Sequence, residues 1–170
     1  MTRATVRPWQ ESVVGGHGVP AGCVVRVPAA SAEDYIAAVA AGLTETGFQP
    51  GPVPADTAAQ VRLFRRGSLI GDTLLTGTGL AALRSRIGPL SLRASVVIEQ
   101  RPEEDGSVRI VTAMIAGDAL AAEVAAAVDA AAAGLSRAGV PVEGPGWMRA
   151  VDVPEDSLAN PRTAQSRGMR

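Results

Sequence analysis

Ser95-Val96-Val97-Ile98 and Val108-Arg109-Ile110-Val111 flank the polar segment Arg101-Pro102-Glu103-Glu104-Asp105-Gly106, and an Ala-rich run follows from Asp118 to Gly139. β-Branched side chains are stiff at χ1 and pack well on a pleated surface, so the two apolar runs predict strands. The segment between them ends in Asp-Gly, which suits a tight antiparallel turn. Asp118 predicts the start of a helix that Gly139 ends, with Pro141 just beyond. On one face of it Leu120, Val124, Val128 (or Ala127), Ala131 and Leu135 recur at helical spacing. Glu123, Asp129 and Arg137 are expected in water, and the intervening Ala residues would let this helix approach a sheet or a second helix closely. Leu92–Gly139 therefore reads as an antiparallel hairpin followed by a long helix.

Working outward, Cys23–Val27 predicts a short strand. Ser31 is placed as an N-cap, with Asp34 as a weak capping-box partner. The helix then runs from about Ala32 to Thr46, with Ile36, Val39, Ala40 and Leu43 as its apolar stripe and Gly47 as its cap. Gln49-Pro50-Gly51-Pro52-Val53-Pro54 reads as a stiff connector. Gln60–Phe64 is a strand, Leu69–Thr76 its partner after the Arg65-Arg66-Gly67-Ser68 turn, and Trp147–Val151 a final edge strand. Gly77–Gly88 fits either a short helix or a loop. Ala40–Phe48 and Ala132–Val140 echo one another, and shared C-cap chemistry is a sufficient cause.

The resulting order, β-α-β-β-β-β-α, predicts an α+β domain whose antiparallel sheet of four to five strands carries two helices on one face. This topology resembles helix-grip domains. A ferredoxin-like plan with an inserted hairpin is the alternative. Residues 1–21 are expected to be irregular, 22–153 to form one domain, and 154–170 to be a disordered polar tail.

The chain has 170 residues, about one domain's worth, and 46% of them are hydrophobic. With only 3% aromatics, the core must be built from Val, Leu, Ile and Ala. A net charge of -1 offers no global attraction to nucleic acid, and no apolar run reaches membrane-spanning length. A lone Cys23, with no secretory leader, fits a reducing cytoplasmic setting. All 16 basic residues are Arg, which removes lysine Schiff-base and P-loop lysine chemistry. One His and one Cys rule out the usual single-chain zinc sites, so no metal or cofactor is expected.

Gly77-Thr78-Gly79-Leu80-Ala81-Ala82, with Glu99 about 20 residues on, imitates a dinucleotide-binding fingerprint. The antiparallel hairpin after Glu99 removes the parallel crossover that such a site needs. Between Gln60 and Arg101, seven Arg stand against Asp72 and Glu99, a basic stretch suited to an anion or simply to water. Few aromatics accompany it, so nucleic acid is disfavoured. His17 sits in a Gly-rich loop, Cys23 in an apolar strand and Tyr35 beside the first helix's stripe. Trp9 and Trp147 could anchor a partner or fold back onto the domain.

These features point to a non-enzymatic domain that binds a small apolar or anionic ligand in a cavity between the sheet and the C-terminal helix. Leu120, Val124, Val128, Leu135, Arg93 and Glu99 are the candidate ligand-binding residues, and no catalytic residue is assigned. The alternative is a structural or interaction protein acting as a homodimer or partner-docking module. An enzyme would have to rely on carboxylates and Arg, with Glu99 and Asp72 as its candidate acid and base.

Overall fold

The computed structural model describes residues 6–12, 21–67 and 93–169. One antiparallel sheet organises them. Its strands are β1 (Ala21–Pro28), β2 (Gln49–Gly51), β3 (Val61–Arg66), β4 (Ala94–Pro102), β5 (Ser107–Ala116) and β6 (Glu143–Arg149). They lie in the order β2-β3-β4-β5-β1-β6. The helices are α1 (Ala32–Glu45), α2 (Ala121–Arg137) and the short α3 (Pro161–Ser166).

The hairpin forms as its residue pattern dictates. Val97 opposes Ala113, Ile98 opposes Thr112 and Arg101 opposes Arg109. Gly106, at φ +79°, supplies the left-handed turn position. The Asp105 carboxylate accepts the Ser107 backbone N–H at 3.0 Å. α2 follows a single 3-10 turn at Asp118–Leu120.

The helix ends also follow from local chemistry. In α1, Phe48 N–H donates to Leu43 C=O and Gly47 N–H to Thr44 C=O. In α2, Val140 N–H donates to Leu135 C=O and Gly139 N–H to Ser136 C=O. Both are Schellman motifs with Gly at positive φ, which accounts for the sequence echo as shared capping. Ser31 departs from expectation. It closes a 3-10 turn (Ala29–Ser31), and its side chain makes no capping hydrogen bond.

Alternation along the strands gives the sheet two apolar faces. On the first, Val25, Val96, Ile98, Ile110 and Met114 meet Ile36, Val39 and Leu43 of α1 and Val124, Val128 and Ala131 of α2. Fully burying a Val or Leu side chain is worth about 1.5–3 kcal/mol, so this layer supplies much of the stability. The two helices touch where α1 offers no side chain. A Cβ built on Gly42 would lie 2.9 Å from that of Ala127.

Val24, Val61, Leu63, Val97, Val111, Ala113 and Ile115 face the other way. They are covered by residues 150–169, here called the strap, which includes Val153, Ala159, Ala164 and Met169. At its start the strap lies against Gly22, where a built Cβ would be 2.7 Å from Val153 Cγ2.

Three sequence expectations change. Among the described residues the sheet has six strands, because Gln49–Gly51 of the supposed connector pairs with Leu63–Arg65 as a short edge strand. Pro50 is tolerated there because it sits at the sheet's edge. A third helix lies on the second face, so helices occupy both sides. Residues 154–169 are a packed strap with Ser157, Ala159 and Ala164 buried, where polar composition had suggested disorder. The coarse α+β antiparallel class stands. The expected strand Leu69–Thr76, the Gly77–Ala82 pattern, Asp72 and His17 lie outside the described residues.

Candidate functional site: an arginine row beneath the strap

Register across the sheet aligns residues far apart in sequence. Arg26 of β1 opposes Arg109 of β5, and Arg109 opposes Arg101 of β4. Residues directly opposite share a face, so three arginine side chains leave the sheet in one row, from adjacent strands that lie about 4.8 Å apart. Glu143 of β6 opposes Arg26 and extends the row. One step along each strand axis, on the same face, Val61, Glu99, Val111 and Val24 form the neighbouring row.

Glu99 is 1% exposed. A buried carboxylate must have its lone pairs filled, and here the strap fills them. The Ser157 hydroxyl donates to Glu99 Oε2 in a short hydrogen bond, and Leu158 N–H donates to the same oxygen at 3.0 Å. Arg101 Nη2 reaches Oε1 at 3.0 Å. Glu99 is thus the anchor by which the sheet holds the strap.

The row itself meets one strap carboxylate. Asp156 accepts from Arg101 Nη1 at 2.6 Å and from Arg109 Nη2 at 3.4 Å. Arg101 Nη2 also donates to the Asp156 backbone C=O at 2.9 Å. Arg26 Nε pairs with Glu103 at 2.5 Å. The hydrogen bond from Arg101 holds the Asp156 carboxyl below its ordinary range, against the opposing effect of desolvation. Burial disfavours the Arg101 charge, but Glu99 and Asp156 beside it raise the pKa further. Arg109 Nε is buried without a hydrogen-bond partner among the described residues. At the Arg26 end the row opens into a groove of about 190 Å³ lined by Arg26, Asp105, Ser107, Pro141 and Glu143, among others.

The residues expected to form one ligand site divide between the two faces. Leu120, Val124 and Val128 are about 1% exposed within the helix-side core, and Leu135 packs against its margin. Glu99 lies on the strap side. Arg93 is half-buried just before β4. Arg26, Arg109, Asp156 and Ser157 were missed. Counting outward from the Asp105-Gly106 turn pairs Arg101 with Arg109. No local signal brings in Arg26 or Asp156.

A second carboxylate contact, this one half-buried, lies on the other side of the molecule. Asp129 of α2, expected in water, accepts Trp9 N–H at 2.8 Å and Trp147 Nε1–H at 2.8 Å. The two indoles pack edge to face with centroids 6.4 Å apart. Both Trp are therefore core residues, and the N-terminal segment folds back onto the domain. Burial raises the Asp129 pKa above 3.8, partly offset by the two N–H donors and reinforced by nearby Glu11. Burial, with Asp129 nearby, likewise pushes the Cys23 thiol up, so it stays protonated at neutral pH. Tyr35, beside the first helix's stripe, is fully buried.

The Asp129 shift fixes a sign. A carboxyl with a raised folded pKa contributes stability that is complete below its unfolded value and is lost as pH rises through the folded one. The melting temperature of the parent relative to Asp129→Asn should therefore be higher near pH 3 than near pH 7. A difference that grows with pH would contradict the burial of this group.

Among the described residues no cluster of three His, Cys, Asp or Glu side chains is placed to hold a metal, and no helix is long and apolar enough to cross a membrane. No family model, curated protein or solved structure matches the chain significantly.

Proposed function

We propose that this α+β domain, of helix-grip-like plan, is a non-enzymatic binding module for a small ligand carrying an oxyanion, carboxylate or phosphate, with Arg109 and Arg101 as the receptor. The observation that carries this reading is the arginine row, in which two guanidinium groups on adjacent strands already converge on a carboxylate, that of Asp156. Guanidinium matches oxyanion geometry and carries more donors than these bonds use. The anionic half of the sequence expectation is thus favoured over the apolar half, since Leu120, Val124 and Val128 spend their surface on the core. A non-enzymatic reading is supported by the carboxylates, because Glu99 and Asp129 are both occupied in holding chain segments. A homodimer built on an apolar face has less support, as Val151 is the large hydrophobic side chain left exposed among the described residues.

Calorimetric titration with inorganic phosphate and with citrate, at constant ionic strength, tests the reading. The parent should bind at least one of them saturably. Arg109→Gln should weaken that binding about tenfold, the 1.4 kcal/mol expected of one charge-assisted hydrogen bond. No saturable binding, or equal affinity in Arg109→Gln, would overturn it.

A further inference from the structure

We propose that Asp156 is a built-in competitor of the oxyanion site: its carboxylate fills the place on Arg101 and Arg109 that a ligand's anion takes, while the strap stays anchored. This rests on the function proposed above and adds how the site is regulated.

The strap's attachment separates into two parts. The anchoring part is buried. Ser157 is 0% exposed and donates to Glu99, Leu158 N–H does the same, and Asn160 Nδ2–H donates to Val153 C=O at 2.6 Å. Asn160 Oδ1 also accepts from Arg162 N–H at 3.0 Å and so caps α3. Even at Asp156 the backbone C=O holds Arg101 independently of the side chain.

The carboxylate is the other part. The Asp156 side chain is 59% exposed, reaches Arg109 at only 3.4 Å and lies in water's reach on one side. Exposed ion pairs contribute little net stability, because water solvates both charges and salt screens them. Exchanging the Asp156 carboxylate for an external oxyanion therefore costs the fold little, and a phosphate or carboxylate that engages both guanidinium groups fully replaces a contact that Asp156 makes to Arg109 only at 3.4 Å. Glu103 and Glu99 keep Arg26 and one side of Arg101 neutralised, which confines the exchange to the Arg101–Arg109 step. An internal anion held at high effective concentration lowers the apparent affinity for any external one, in proportion to the fraction of sites it fills.

The test compares phosphate and citrate binding by the full-length parent, Asp156→Asn and Glu155→Gln, at matched ionic strength. Glu155 is an exposed neighbour that lies 3.8 Å from the exposed Arg162, so its variant controls for charge alone. Asp156→Asn should bind about tenfold more tightly than the parent, and Glu155→Gln within twofold of it. Hydrogen exchange of the Leu158 amide should be equally slow in parent and Asp156→Asn, showing that the strap remains seated. If the parent binds and Asp156→Asn binds no more tightly, the competitor role is wrong and the anion site survives. If neither binds, both are wrong. If the two Asp/Glu variants gain equally, the effect is bulk charge and the competitor role fails.

Discussion

Replacing Glu99 by Ala is expected to cost about 3–5 kcal/mol and to release the strap. Glu99 is 1% exposed and serves the Ser157 hydroxyl, the Leu158 N–H and the Arg101 guanidinium at once. Removing it leaves a buried hydroxyl and a backbone N–H without acceptors, and an arginine without its inner partner. Breaking a buried ionic contact on one side carries a penalty of about that size, because the remaining groups stay desolvated and unpaired. The loss should be uneven across the molecule. Amides of residues 157–169 should exchange much faster, and those of β4 and β5 in line with the drop in global stability. Proteolysis should cut the strap before the sheet. Glu99→Gln should sit in between, since its amide oxygen can still accept while its charge for Arg101 is lost. Unchanged strap protection in Glu99→Ala would show that apolar packing alone holds the strap.

Trp9→Ala is the second large effect, about 3 kcal/mol. Trp9 is 5% exposed, packs on Trp147 and donates its backbone N–H to Asp129. Truncating a buried aromatic removes its transfer energy and leaves a cavity, a loss of about 3–5 kcal/mol in a rigid core. The lower end applies here because residues 6–12 are a short segment near the terminus and can move into the gap. Trp147 would become the sole indole, so its emission should shift to the red as water reaches it. Parent-like stability with unshifted Trp147 emission would mean that the N-terminal segment does not seal this side of the core.

The hairpin and both long helices were legible because each carries a local signal. β-Branched runs face each other across Asp105-Gly106, and Gly47 and Gly139 end helices whose stripes recur at helical spacing. β2 was hidden, since a three-residue edge strand containing Pro50 has no period to read. The strap was hidden for another reason. Its buried residues, Ser157, Ala159, Asn160 and Ala164, are small or polar, and their partner is a carboxylate on a distant strand. Asp129 was misplaced because helical spacing puts it off the apolar stripe, whereas the N–H groups of Trp9 and Trp147 close over it. The candidate site followed the same rule. Glu99 was singled out for its spacing from the Gly77–Ala82 pattern, and the hairpin turn pairs Arg101 with Arg109, but Arg26 joins them only through the pairing of β1 with β5, and Asp156 only through the strap. Non-local register carries that information, and no window of sequence contains it.

The arginine row as an oxyanion receptor is tested most directly by following the arginine side-chain Nε–H resonances of the full-length protein during titration with phosphate at constant ionic strength. The account predicts that Arg109 and Arg101 shift together and saturate, while Arg62, paired with Glu33 on α1, and Arg149, paired with Asp152, stay in place. Uniform drift of all arginines, or saturating shifts confined to arginines outside the row, would contradict it.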